Sequence, residues 1–273
     1  MTTLTRDGVN LYFERHGDAG DPLLCIMGLG GTIDFWEFQT PAFARTHQVA
    51  VYDNRGAGRS DKPAGPYTIS QLAEDAAAVL DACGWERAHV LGLSMGGMIA
   101  QELAIRHPER VGALILAATY AKPNQRVRAT IAGSPLSQPN AAGIDPKMVF
   151  KLMTAAILTP EFIQRELPWL RTLRDKVLPQ MTIEGFLAQA AATVEHDASA
   201  QLGQLTAPTL IMMPTGDQLV PPESSEELAR LIPGATLQKF EQGAHGFNVE
   251  QPDKFNRAVL DFLGKHPLDD ARF

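Results

Sequence analysis

The chain has 273 residues, of which 45% are hydrophobic and 20% are charged, a composition typical of a folded globular protein and not of a disordered or fibrous one. Its 24 Lys and Arg residues against 31 Asp and Glu residues give a net charge of −7, so neither nucleic acid nor a membrane surface is expected as a partner. No stretch approaches 18 consecutive apolar residues, and the N-terminus does not resemble a signal peptide. We therefore expect a cytoplasmic protein.

The two cysteines are expected as buried, unpaired thiols. Cys25 lies within the apolar run 23–27, and Cys83 is next to Gly84 near the end of a predicted helix. Two cysteines in such surroundings indicate a reducing compartment and argue against a disulfide framework.

Short apolar runs alternate with helical patterns in the first part of the chain. The segment 9–14 alternates partly in polarity, as a half-exposed strand at a sheet edge does. Mostly apolar runs then predict buried strands over 23–27, 49–52, 89–93 and 111–117. Helices are predicted over 69–83, with Ser70 as the N-cap, and over 95–107, where Pro108 ends the helix. This alternation predicts a parallel sheet with helices on both faces.

The alternation is interrupted in the middle of the chain. Only helical patterns, which include 146–158 and 161–178, occur there. The elements that follow are predicted as strands over 209–213 and 236–240 and a last helix over 252–263. We therefore expect one core domain built from residues 1–120 and 206–273, with residues 121–205 inserted as a helical cap.

The segment Gly92-Leu93-Ser94-Met95-Gly96 carries the strongest chemical signal. It connects a predicted strand to a predicted helix, which is the setting of a nucleophile elbow. So sharp a turn needs small residues two positions on either side of the serine, and Gly92 and Gly96 supply them. The helix that begins there directs its free amides toward developing negative charge. Taken alone, the pattern is also compatible with a serine at an ordinary tight turn.

A carboxylate and an imidazole follow the last two predicted strands. Asp217 comes after 209–213, and His245 comes after 236–240 in a glycine-rich loop. The carboxyl ends of parallel strands share one sheet edge, where open α/β sheets build their sites. The chain order Ser94, Asp217, His245 is the order of a triad built around such an elbow. The alternatives are an aspartate that stabilises a turn and a surface histidine.

The glycine-rich turn 27–31 follows the strand 23–27 and is a candidate oxyanion hole. The backbone amides of Leu29 and Met95 are the predicted donors to a tetrahedral intermediate.

With these motifs, the chain resembles enzymes of the α/β-hydrolase fold from the strand 9–14 to the last helix. The resemblance implies an eight-stranded, mostly parallel sheet flanked by helices, with a helical cap inserted after strand six. The loop 52–61 matches the loop after the fourth strand in many members, and we expect a structural role in which Asp53 pairs with Arg55. Met27-Gly28 stands where members often have His-Gly, and a backbone donor is unaffected by this change.

Within the family, the segment 92–103 is most similar to enol-lactonases, small esterases and perhydrolases. The resemblance implies a serine hydrolase that cleaves a small carboxylic ester or lactone through an acyl-enzyme, with no cofactor and no metal. A C–C bond hydrolase or a perhydrolase would use the same triad. A non-catalytic role as a receptor for a small ligand also stays possible. The oligomeric state is left open, and a homodimer is one possibility. A serine at the elbow, in place of aspartate, argues against dehalogenase or epoxide hydrolase chemistry.

Two other kinds of site receive little support. Neither glycine-rich segment, 28–33 or 56–61, has the last glycine of the dinucleotide fingerprint, and no phosphate-binding loop occurs. The cluster Glu195-His196-Asp197 is dense in metal ligands, but neighbours on a helix point in different directions. Five cap arginines could include a carboxylate clamp, although a solvated face is the preferred interpretation for Arg126, Arg128, Arg165, Arg171 and Arg174.

Overall fold

A computed structural model describes residues 2–132 and 143–268. Its strands are β1 (Thr2–Arg6), β2 (Val9–His16), β3 (Pro22–Ile26), β4 (Gln48–Tyr52), β5 (Ala88–Leu93), β6 (Val111–Ala117), β7 (Thr209–Pro214) and β8 (Thr236–Phe240). They form one sheet in the order β1-β2-β4-β3-β5-β6-β7-β8. The pairs β1–β2 and β2–β4 are antiparallel, and the other pairs are parallel. The expected eight-stranded, mostly parallel sheet is confirmed.

Helices flank this sheet, and several lie in the described parts of the segment between β6 and β7. They are α1 (Thr40–Phe43), α2 (Ile69–Cys83), α3 (Met95–Arg106), α4 (Gln125–Ala132), α5 (Pro146–Ile157), α6 (Pro160–Arg165), α7 (Leu167–Val177), α8 (Ile183–Glu195), α9 (Pro222–Leu231), α10 (Phe247–Glu250) and α11 (Pro252–Leu263). The helical cap after strand six is thus present, while its bounds at residues 121 and 205 stay a prediction.

The hydrophobic core lies on both faces of the sheet. Successive strand residues point to opposite faces, so Val90 packs in the cluster that contains α2 and α3, and Leu91 packs in the cluster that contains Phe43 of α1 and Phe255 of α11. Burial on both faces explains why the central strands are apolar at nearly every position. Both cysteines are buried and unpaired, as predicted. No helix among the described residues is long and apolar enough to cross a membrane.

The sequence prediction missed the strand β1. Its residues are mostly polar and exposed, so they carry no hydrophobic pattern. β1 forms a hairpin with β2 through Asp7 and Gly8, whose φ angles are 50° and 76°. Asp-Gly with two positive φ angles favours a tight hairpin, and this dipeptide was the signal available in the sequence.

Two predicted helix features are wrong. The helix expected over 161–178 is divided into α6 and α7, because Pro168 lacks the amide that a continuous helix needs and Glu166 leaves the helical region at φ −106° and ψ 24°. The N-cap of α2 is Thr68, not Ser70: the Thr68 hydroxyl accepts a hydrogen bond from the Gln71 amide at 3.1 Å.

Candidate active site

Ser94 occupies a strained turn between β5 and α3. Its φ of 58° and ψ of −122° are unusual for a residue with a side chain. A Cβ on Gly92 would clash with the backbone of Gly96, and a Cβ on Gly96 would clash with the backbone of Ile26. The two glycines are therefore needed for this elbow, as the sequence analysis expected.

The Ser94 hydroxyl is not used to cap the helix that it precedes. It accepts no hydrogen bond from the first turn of α3, although serine commonly does so at this position. The Ser94 amide instead donates to Ala117 O of β6 at 2.9 Å, which ties the elbow to the neighbouring strand. The backbone is thus fixed while the side-chain oxygen faces a cavity.

Asp217 and His245 form a buried pair at the same sheet edge. His245 Nδ1 lies 2.7 Å from Asp217 Oδ2, and the exposed fractions of the two side chains are 4% and 0%. The amides of Leu219 and Val220 donate to Asp217 Oδ1 at 2.8 and 2.9 Å. A carboxylate held by these two donors can accept a proton from Nδ1, and in that tautomer Nε2 is the acceptor nitrogen of the imidazole. His245 and Ser94 line the same cavity.

The turn that contains the predicted oxyanion donor Leu29 lies beside the serine. A Cβ on Gly28 would come within 2.9 Å of the Cβ of Ser94, so the turn 27–31 packs directly against the elbow. Among the described residues, neither the Leu29 amide nor the Met95 amide donates a hydrogen bond to another protein group. Met95 is the first residue of α3, where an amide has no partner inside the helix.

Sequence reasoning did not find Gln189, which holds this turn in place. Gln189 is fully buried in α8. Its Oε1 accepts from the Gly30 amide at 2.8 Å, and its Nε2 donates to Arg55 O at 2.7 Å. No local sequence pattern marks this residue, because both of its partners are distant in the chain. The cap thus contributes directly to the shape of the candidate oxyanion hole.

The expected pair of Asp53 and Arg55 is wrong. The guanidinium of Arg55 binds Asp75 of α2 through two hydrogen bonds of 2.5 and 2.6 Å. Asp53 accepts instead from the amides of Ile33 and Arg59, both at 2.8 Å. Both carboxylates need donors because they are buried; backbone amides supply those of Asp53, and the Arg55 guanidinium supplies those of Asp75. The loop nevertheless has the structural role that was predicted.

The cavity in front of Ser94, which we call the Ser94 cavity, has a volume of about 150 Å³ and lies between core and cap. Its cap-side wall is mostly apolar and includes Phe150, Met153, Leu170 and Phe186. A cavity of this size suits a small acyl group.

In the described part of the cap, no arginine lines the Ser94 cavity. All five arginines considered above are exposed. Arg126 donates to Gln218, Arg165 pairs with Glu166, and Arg174 pairs with Asp175. The interpretation of a solvated face is confirmed, and the carboxylate clamp is wrong for these residues.

The side chains of Glu195, His196 and Asp197 also point in different directions. His196 is buried, whereas its two neighbours are exposed. Within residues 2–132 and 143–268, no three His, Cys, Asp or Glu side chains are grouped so that they could hold a metal ion.

Comparison with known proteins gives consistent relatives along almost the whole chain. Residues 21–252 match the family described as alpha/beta hydrolase fold. A protein from Azorhizobium caulinodans named as a carbamate hydrolase, RutD, is 36% identical, and the match covers 94% of this chain and 96% of that protein. The protein named 3-oxoadipate enol-lactonase 2 from Acinetobacter baylyi is 34% identical, with 94% of each chain covered.

Solved structures agree with this assignment. A hydrolase from Pseudomonas aeruginosa superimposes with a TM-score of 0.86 at 33% identity, covering 96% of this chain and 98% of the other. The enol-lactonase from Burkholderia xenovorans gives the same TM-score at 27% identity, covering 96% and 100%. The sheet order, the elbow and these relatives together place the chain in a single family: it belongs to the α/β-hydrolase fold family.

Proposed function

We propose that the protein is a serine hydrolase that cleaves a small carboxylic ester or lactone through a covalent acyl-enzyme. The observation that carries the proposal is the buried Asp217–His245 pair, which opens onto the same cavity as Ser94 at the elbow. Relatives named as an enol-lactonase and as a carbamate hydrolase support attack on a carbonyl carbon.

Acylation would begin at Ser94. His245 Nε2 removes the proton of Ser94 as Oγ attacks the substrate carbonyl carbon, and Asp217 stabilises the imidazolium that forms. The amides of Leu29 and Met95 donate to the tetrahedral oxyanion, assisted by the positive end of α3. His245 then returns the proton to the leaving alcohol, which in a lactone stays attached to the acyl group.

Deacylation would repeat these steps with water. His245 removes a proton from the water as it attacks the acyl carbonyl, and the tetrahedral intermediate releases the carboxylic acid. Ser94 Oγ recovers its proton from the imidazolium. The same residues could support a C–C bond hydrolase or a perhydrolase, and a receptor would bind without turnover.

Turnover of a substrate panel by the Ser94→Ala variant tests the proposal. The panel contains p-nitrophenyl butyrate, a small lactone, a carbamate ester, acetate with peroxide, and a dienone acid. We expect ester or lactone turnover that falls by several orders of magnitude in Ser94→Ala. Ser70→Ala, a serine in the first turn of α2, is the matched control and should keep full activity. A Ser94→Ala variant with half of the wild-type rate would disprove the assignment.

A further inference from the structure

The wall of the Ser94 cavity contains no Lys, Arg, Asp or Glu side chain among the described residues. Apart from His245, the wall consists of apolar side chains, backbone and a few hydroxyl and amide groups. The ten cap residues 133–142 lie outside the described ranges, and their sequence contains no ionisable side chain. Among the described residues, no side chain other than His245 that could neutralise a substrate anion is therefore found at this cavity.

The polar side chains of the wall are largely used inside the protein. The Tyr120 hydroxyl donates to Thr193 O at 2.8 Å, and Thr193 Oγ1 donates to Ala190 O at 2.7 Å. Burial raises the pKa of Tyr120 to about 12, so this hydroxyl is neutral at physiological pH. Asn248 Nδ2 donates to Phe35 O at 3.3 Å. These groups offer little compensation to a second anion.

The backbone donors near Ser94 are also largely used. The Gly30 and Gly31 amides donate within the protein, at 2.8 and 3.1 Å. In the proposed mechanism the Leu29 and Met95 amides bind the oxyanion. A carboxylate elsewhere on the substrate would either stay unpaired in an apolar wall, which is costly, or compete for these donors.

We infer that the Ser94 cavity selects uncharged substrates: neutral esters or lactones whose acyl part carries no carboxylate or phosphate. This inference rests on the proposed function and narrows its substrate class. It follows from the chemistry of the wall, since apolar surface stabilises an alkyl chain and leaves a buried anion without a partner.

Three esters that share one leaving group distinguish the effect of charge on the acyl part from the effect of its length. They are p-nitrophenyl hexanoate, mono-p-nitrophenyl adipate and methyl p-nitrophenyl adipate, and the measured quantity is kcat/KM from p-nitrophenol release. We expect the charged adipate to react about 100-fold more slowly than the two neutral esters, because its carboxylate enters the cavity unpaired. Equal kcat/KM values for p-nitrophenyl hexanoate and mono-p-nitrophenyl adipate would overturn the inference. So would a kcat/KM for methyl p-nitrophenyl adipate as low as that for the charged adipate.

Thr154 offers a gain-of-function variant. It lies in α5, is half-buried and lines the Ser94 cavity, so a lysine there can place a cation at the cavity edge. Thr154→Lys should raise the ratio of charged adipate to hexanoate turnover about 10-fold, and the uncharged control Thr154→Met should not. An unchanged ratio in Thr154→Lys would contradict the inference. If no ester reacts in a Ser94-dependent way, the proposed function fails and the inference fails with it.

Discussion

The backbone of Ser94 distinguishes its hydroxyl from that of an ordinary helix N-cap. A positive φ keeps the side chain away from the first turn of α3, so its oxygen has no hydrogen-bond partner there. Among the described residues, the Met95 amide also donates to no other protein group. Such strain costs stability and is typical of functional positions. The sequence could reveal this residue because the need for Gly92 and Gly96 is local and leaves a readable pattern.

The role of Asp217 as the partner of His245 can be tested with an isosteric variant of Asp217. In Asp217→Asn the side-chain amide would donate to Nδ1, so the imidazole proton would move to Nε2, which then cannot accept the Ser94 proton. We expect kcat on p-nitrophenyl butyrate to fall about 10,000-fold, while the melting temperature changes little.

Asp197→Asn is the matched control for that variant. Asp197 also accepts from a backbone amide two residues later, that of Ser199, but it is exposed and remote from Ser94. It should keep full activity. An Asp217→Asn variant within 10-fold of the wild-type rate would remove Asp217 from the mechanism.

Gln189 marks the limit of sequence reasoning at the residue scale. Its two hydrogen bonds join residues that are more than 130 positions apart in the chain. No local pattern encodes such a contact, so a buried glutamine in α8 cannot be distinguished by sequence from one on a solvated face. The same reason explains the wrong partner for Arg55, whose true partner Asp75 lies in α2.

At the element scale, Glu250 of α10 connects the cap to the loop that carries His245. Glu250 Oε1 accepts from the amide and the hydroxyl of Thr159, the N-cap of α6, at 2.6 and 2.9 Å. Its Oε2 accepts from the Ala244 amide at 3.0 Å. The Gly246 amide also donates to Ile157 O at 2.6 Å. The two neighbours of His245 are therefore tied to the cap, Gly246 directly to the end of α5 and Ala244 through Glu250 to the N-cap of α6.

Glu250→Gln should loosen this connection. A glutamine amide retains one acceptor oxygen, so either the Thr159 or the Ala244 contact is lost and His245 is held less firmly. We expect kcat on p-nitrophenyl butyrate to fall about 10- to 100-fold, because small displacements of a catalytic group are costly. Glu241→Gln, an exposed position in the same loop, is the control. Equal activity of the two variants would show that Glu250 does not position His245.

The elements that the sequence predicted well are those with a strong local pattern. The helix 252–263 and the strands β6 and β8 have the predicted bounds. The polar strand β1 and the break between α6 and α7 were missed because their signals are one or two residues, Asp7-Gly8 and Pro168, not periodicities. Nothing in the sequence shows how α5 to α8 pack over the sheet, since those contacts depend on the folded chain.

At the scale of the whole molecule, burial of neutral histidines links stability to pH. Burial lowers the pKa of His196 to about 4, and its Nε2 has no hydrogen-bond partner among the described residues. Burial also lowers the pKa of His89 to about 4. Unfolded histidines titrate near 6.5, so between pH 6.5 and 4 the unfolded chain binds more protons than the folded chain. This contribution to stability is complete above pH 6.5 and is lost as pH falls toward 4.

His196→Gln tests this linkage, because glutamine is neutral throughout the range. The free energy of unfolding of the wild type should decrease between pH 7.5 and pH 5.0, and His196 alone should account for about 2 kcal/mol of that decrease. Urea titrations at the two pH values should show a smaller decrease in His196→Gln. Identical dependence in His196→Gln and wild type would refute this assignment.

The central claim is that Ser94 is an activated nucleophile, and reaction with a fluorophosphonate tests it most directly. Such a reagent forms a stable phosphonyl ester with a serine that an adjacent base activates. Mass spectrometry of the digested protein should find one adduct per chain, on the peptide that contains Ser94, and no adduct on that peptide after prior denaturation. An adduct on another serine, or a native protein that does not react, would contradict the account.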